Sequence, residues 1–182
     1  ARLGTDGFQK ARDGRMSPAA RWLLAPYLLA ARINAWAWTR GHPQAVAVDG
    51  RVWLGRQPDA AAVRRMGLSA LIDVSAELPA PQTLAVTGIP MLDLVPPTPA
   101  QLRAAADAID AALAAHPGDA PVLVCCALGY SRSAAAVAAW LLRSGRHADI
   151  DSAIAALRVR RPQLVLHDAH RAALAALLAG QE

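Results

Sequence analysis

From position 44 onward, short apolar runs alternate with longer stretches of helix-forming residues. Residues 45–48 and 51–54 read as two short strands around an Asp49-Gly50 turn. Residues 70–74 and 89–94 read as core strands, and 121–126 as a buried strand bounded by Gly118-Asp119 and Gly129. Helices are predicted over 59–66, stopped by Gly67, and over 98–116, stopped by Pro117-Gly118. Three more follow at 133–142, 149–160 and 168–179, with a break at Gly145. Strands alternating with helices predict an α/β fold: a central, mostly parallel sheet with helices on both faces and an N-terminal helical appendage. Ligand sites in such sheets lie at the C-terminal ends of strands.

The segment before position 44 has a different pattern. Residues 1–16 are polar, charged and glycine-containing, and read as an arm or linker. Residues 17–43 form an apolar, tryptophan-rich helical segment containing Trp22, Tyr27, Ile33, Trp36 and Trp38, with Arg21, Arg32 and Arg40 among them. Pro26, Arg32 and Asn34 interrupt the stretch that comes nearest to spanning a bilayer, and it lacks the pattern of a secretory signal. Two readings stay open: a pair of helices packed on the domain, or an interfacial helix anchored by tryptophan on a membrane surface. Residues 44–182 make up the main domain. The chain opens on Ala rather than Met, which reads as an excised or processed fragment.

Composition narrows the options. Of 182 residues, 54% are hydrophobic, enough for one α/β domain with an appendage. The net charge of +5 comes almost wholly from arginine and favours anionic partners. No nucleic-acid motif accompanies it, so nucleic acid is not expected as a partner. The two cysteines are adjacent, which gives no disulfide framework and points to a reducing, cytoplasmic location, with the inner face of the membrane as the natural site if the 18–39 segment docks there. No histidine or acid spacing matches a metal site, and no cofactor is expected.

The chemistry concentrates in Cys126-Ala127-Leu128-Gly129-Tyr130-Ser131-Arg132-Ser133. A strand ends at a cysteine, a loop follows, and a helix begins near an arginine. Free N–H groups at the helix start and its dipole favour an anion. Gly129 lets the loop curl so that its N–H groups converge. Arg132 offers a planar fork for two phosphate oxygens. The same field favours the thiolate of Cys126, the competent nucleophile, and Ser133 can hydrogen-bond the sulfur. The segment is therefore a phosphate cradle with a nucleophile at its base. Asp93, delivered by an apolar run into a proline-rich turn, is the candidate general acid. Asp168 or His167 could substitute, although both suit the start of the last helix. Asp73, at a strand end, reads as structural.

This loop resembles the Cys-x5-Arg-Ser/Thr signature of the protein-tyrosine-phosphatase superfamily, and is especially similar to small atypical dual-specificity phosphatases. Trp53-Leu54-Gly55 is similar to an early element of the same enzymes, and Asp93 ahead of Pro96-Pro97 matches their general-acid position. The resemblance implies hydrolysis of phosphate monoesters through a phosphocysteine, with Cys126, Arg132, Ser133 and Asp93 as catalytic residues and Ala127, Leu128, Gly129, Tyr130, Ser131 and Arg132 binding phosphate. One departure is Cys125, where the family usually has His. It leaves a catalytically weak phosphate-binding module as one alternative, and the 18–39 segment leaves a membrane-surface adaptor as another. The 18–39 segment also loosely resembles the junction in bacterial proteins that join a membrane lipid-phosphatase-like domain to a dual-specificity phosphatase. With no basic residue inside the loop before Arg132, a phosphotyrosine-type, mono-phosphorylated lipid or small phosphoester substrate is expected.

Overall fold

The computed structural model describes residues 4–180. Its core is a five-stranded sheet in the order β1-β2-β5-β3-β4, built from β1 (Ala45–Asp49), β2 (Val52–Arg56), β3 (Ala70–Ser75), β4 (Ala85–Met91) and β5 (Val122–Cys126). Only β1 runs antiparallel; β2, β5, β3 and β4 are mutually parallel. β3 and β5, paired at the middle of the sheet, are buried throughout; β5 is apolar along its whole length, and β3 is apolar except for the buried Asp73 and Ser75 at its end.

Helices cover both faces. α4 (Pro99–Ala115), α5 (Arg132–Arg143), α6 (Ile150–Arg160) and α7 (Asp168–Ala179) pack into the larger core cluster with Val124, Leu102, Ile109, Trp140, Leu157 and Leu174. α5 is buried along nearly its whole length, and its alanines let neighbouring helices approach closely. α3 (Ala60–Met66) lies on the opposite face, over Leu71, Leu123 and Cys125. Gly67 ends it in the left-handed conformation, φ 60°.

One strand differs from its predicted position. β4 covers 85–91, not 89–94, because its pairing with β3 begins at Ala70–Ala85. Gly88 lets the strand pass beneath the Arg12 carbonyl, to which it donates a 2.6 Å bond. The shift leaves Asp93 in a turn beyond the strand.

The apolar segment forms two helices, α1 (Pro18–Leu23) and α2 (Ala25–Thr39). Ser17 caps α1, and Pro26 falls in the first turn of α2, where its missing N–H costs no bond. No helix among the described residues is long and apolar enough to cross a membrane. The large side chains point outward: Trp22 is 87% and Trp38 68% exposed, with Leu23, Leu29, Ile33 and Trp36 also exposed. The polar arm lies against the domain: Lys10 is buried and bonds Asp73 (2.7 Å) and the Ser75 carbonyl (2.6 Å).

Candidate active site

β5 ends at Cys126 and α5 begins at Arg132, so the intervening loop sits at the C-terminal edge of the sheet's centre. Ser131, the residue before α5, makes no side-chain cap bond, so the first-turn N–H groups face the loop. Gly129 is required twice. Its φ is 74°, and a Cβ there would lie 2.6 Å from the Arg56 nitrogen on β2. With the loop held this way, the Gly129 N–H donates to Cys126 Sγ at 3.2 Å, and Ser133 Oγ lies 3.3 Å from the same sulfur. These two contacts would stabilise negative charge on sulfur.

Arg132 is almost fully buried. Its Nη1 and Nη2 donate to the two carboxylate oxygens of Glu77 at 2.7 and 2.6 Å. Nη1 also reaches the Met91 carbonyl (3.0 Å), and Nη2 lies 3.2 Å from Asp93 Oδ1. Burial opposes the Arg132 charge, but the Glu77 bonds and the charges of Cys126, Glu77 and Asp93 outweigh it, raising its pKa. Burial likewise opposes ionised Glu77, yet the bonds and charge of Arg132 hold its pKa below the ordinary value. Glu77 is a site residue that the sequence pattern alone does not reveal. Its one signal is a lone acid among apolar residues just past β3, next to Ala76 and Leu78.

Asp93 is half exposed in the turn after β4, and the following Leu94 has φ 59° and is 98% exposed. Asp93, Glu77, Ala127 and Leu128 line one cavity of about 260 Å³, walled on the other side by Tyr27, Ala30, Ala31 and Asn34 of α2. Burial, then the charges of Glu77 and Asp93, raise the Tyr27 pKa. The structure thus brings together Cys126, Arg132, Ser133 and Asp93, and adds α2 as a wall that sequence patterning did not reveal.

The rest of the loop is tied from outside. Ser131 Oγ lies 2.8 Å from His170 Nε2 on α7, and the Tyr130 hydroxyl donates to the Trp38 carbonyl at 3.3 Å. Arg161, buried, donates to the Leu128 carbonyl (3.3 Å), and its guanidinium stands 5.1 Å from the Tyr130 ring centre. Asp73 is held by Lys10, Gln57 and Ser75. His167 caps α7 and Asp168 occupies its first turn; neither lines the cavity beside Asp93. Cys125 points away from the cradle into the cluster of Leu71 and Leu123, where burial raises its pKa well above the usual thiol value and keeps it protonated. Among the described residues, no three His, Cys, Asp or Glu side chains converge as a metal site.

The sequence matches no curated protein, but its fold has solved counterparts. Human DUSP28 is 25% identical over 77% of this chain and 97% of its own, with a TM-score of 0.63. Tk-PTP in its active form is 26% identical over 74% of this chain and 96% of its own, with a TM-score of 0.63. PTPMT1, solved in complex with PI(5)P, shares the fold at 20% identity, 77% and 100% coverage and a TM-score of 0.64. The family model described as "Dual specificity phosphatase, catalytic domain" matches residues 52–178. That span holds the cradle, Glu77 and Asp93, and covers most of the chain: the protein belongs to the dual-specificity phosphatase family and is an atypical member of the protein-tyrosine-phosphatase superfamily.

Proposed function

We propose that this phosphatase is cysteine-dependent and hydrolyses phosphate monoesters through a phosphocysteine. The observation that carries the reading is Cys126 Sγ, within hydrogen-bond reach of both the Gly129 N–H and Ser133 Oγ, with the charge of buried Arg132 acting on it and the Arg132 Nε left without a partner among the described residues. Sγ of Cys126 attacks phosphorus while the P–O bond to the leaving group breaks. Asp93, protonated, gives its proton to the departing oxygen. Arg132 and the N–H groups of 127–133 stabilise the equatorial oxygens. Glu77 holds the guanidinium in plane. A water then attacks the phosphocysteine, the Asp93 carboxylate takes its proton, and the P–S bond breaks to release phosphate and thiolate. Ser133 stabilises the sulfur as it leaves. Cys125 stands where the family usually has His and packs away from the cradle, so Gly129 and Ser133 are left to orient the sulfur. Activated aryl phosphate hydrolysis in EDTA tests this: turnover is expected in the wild type and absent in Cys126→Ser. Equal turnover in both would overturn it.

We further propose that α1 and α2 rest on an anionic membrane surface. Their exposed Trp22, Leu23, Ile33, Trp36 and Trp38 suit the interfacial zone, and no acidic residue stands between Asp13 and Asp49 to oppose Arg21, Arg32 and Arg40. Such a position fits the reducing, inner face of a membrane and a mono-phosphorylated lipid as substrate. Vesicles containing anionic lipid should retain the protein and shift its tryptophan emission to the blue. Trp22→Ala/Trp36→Ala/Trp38→Ala should weaken retention, and Cys126→Ser should not. Unchanged retention in the triple variant would contradict the assignment.

A further inference from the structure

The loop itself carries no basic residue besides Arg132, but the fold brings three arginines to its side. A second cavity, of about 530 Å³, lies against the loop and is lined by Arg21 of α1, Arg32 of α2 and Arg56 of β2, with Gln44, Gln57 and Asp59. It shares Ala35 and Ala127 with the cavity that holds Asp93 and Glu77, so the two spaces meet beside the residue that follows Cys126. Arg56 pairs in register with Cys126 across parallel strands, which sets their backbones about 5 Å apart.

Three guanidinium groups line this cavity against one carboxylate, so it is net positive. Among the described residues none of Arg21, Arg32 and Arg56 forms an ion pair with a carboxylate. Asp59, the acid on the wall, is occupied in capping α3 through the Ala62 N–H at 2.6 Å. Arg56 is held in place: its Nε donates to Gln44 Oε1 at 2.7 Å and its Nη1 to Thr39 Oγ1. Its Nη2 has no protein partner among the described residues. A fixed guanidinium with a spare edge, flanked by two more on exposed helices, is a site for an oxyanion.

We propose that this cavity binds a second anionic group of the substrate, a phosphodiester or a second phosphate, while the ester phosphate occupies the cradle. The proposal rests on the phosphatase reading above and names its substrate class: a phosphomonoester carrying a further oxyanion on the same molecule. Basic residues on β2, α1 and α2 thereby supply the anion recognition that the loop lacks. Because Arg21 and Arg32 belong to the appendage, the preference for doubly anionic substrates depends on residues before position 44. The catalytic loop alone would not provide it.

The test uses the full chain and a ruler of α,ω-alkanediol bisphosphates of increasing length, each compared with the monophosphate of the same alcohol. Wild type is expected to show a kcat/KM for the best bisphosphate at least about tenfold above its monophosphate, since charge-assisted bonds of this kind are worth that much. The ratio should fall towards one in Arg21→Gln/Arg32→Gln, whose altered side chains are exposed and leave the core untouched, and in Arg56→Gln. A wild type that hydrolyses monophosphates but shows a ratio near one at every length overturns the second site while leaving the phosphatase reading intact. No turnover of any ester overturns the phosphatase reading itself. Dimethyl phosphate, a free diester, separates a linked anion from an independent one. If it raises monophosphate turnover while bisphosphates gain no preference, the site takes a separate anion and the proposal fails.

Discussion

Arg132 grips two carboxylates, and the two have different work. Glu77 is buried and bidentate, a fixed brace. Asp93 is half exposed and touches one nitrogen at 3.2 Å. A carboxyl on an exposed turn can trade that contact for a proton transfer to a leaving group; a buried brace cannot. Asp93→Asn should therefore slow alkyl phosphates by roughly a hundredfold or more, and activated aryl phosphates far less, since only the former need the proton. Equal slowing of both, measured as kcat/KM, would make Asp93 structural. The residues legible in the sequence were those within one local segment, Cys126 to Ser133, and Asp93 from its proline-rich turn. Glu77 was not, because its partner lies 55 positions away and only the adjacency of β3 and β5 joins them.

At the scale of elements, the cradle depends on how closely strand and loop approach. β2 presses its Gly55-Arg56 edge against Gly129, leaving no room for a side chain. Gly129→Ala combines that collision with a positive φ, and should cost on the order of 1–3 kcal/mol. The expected result is a lowered Tm together with a loss of turnover exceeding that of a surface alanine substitution. An unchanged Tm and turnover would mean that the loop does not have this shape. Strand and helix order followed from apolar runs and glycine stops. The position of β4 did not, because periodicity alone does not fix where a short apolar run begins to pair. Sequence patterning also left the role of α2 open. Its alanines, Ala30, Ala31 and Ala35, are unremarkable in sequence and become meaningful only beside Ala127 and Leu128.

Over the whole molecule, the arm, the appendage and the last helix all brace the same edge of the sheet. Lys10 reaches Asp73 behind the cradle, Trp38 accepts from Tyr130, and His170 holds Ser131. This arrangement makes stability sensitive to acid. Burial, then the charge of His167, lowers the His170 pKa from 6.5. A histidine depressed in the folded state binds its proton more readily when unfolded, so its contribution is present above the unfolded value and lost as pH falls below about 6.5. Glu77, also depressed, adds a second loss as pH falls below its ordinary value of 4.5. Denaturation midpoints should fall between pH 7 and pH 5, and His170→Asn should flatten that part of the profile. A midpoint that rises on acidification through this range would contradict the burial of neutral His170.

Transfer of the phosphate to Cys126 during turnover is the step on which the whole mechanism depends. Its most direct measurement is mass spectrometry of the wild-type enzyme quenched in acid while it hydrolyses an aryl phosphate, with peptide mapping across 121–133. One phosphate is expected, on Cys126, appearing with substrate and missing in Cys126→Ser. Steady turnover with no phosphorylated peptide, or phosphate on Cys125 instead, would contradict it.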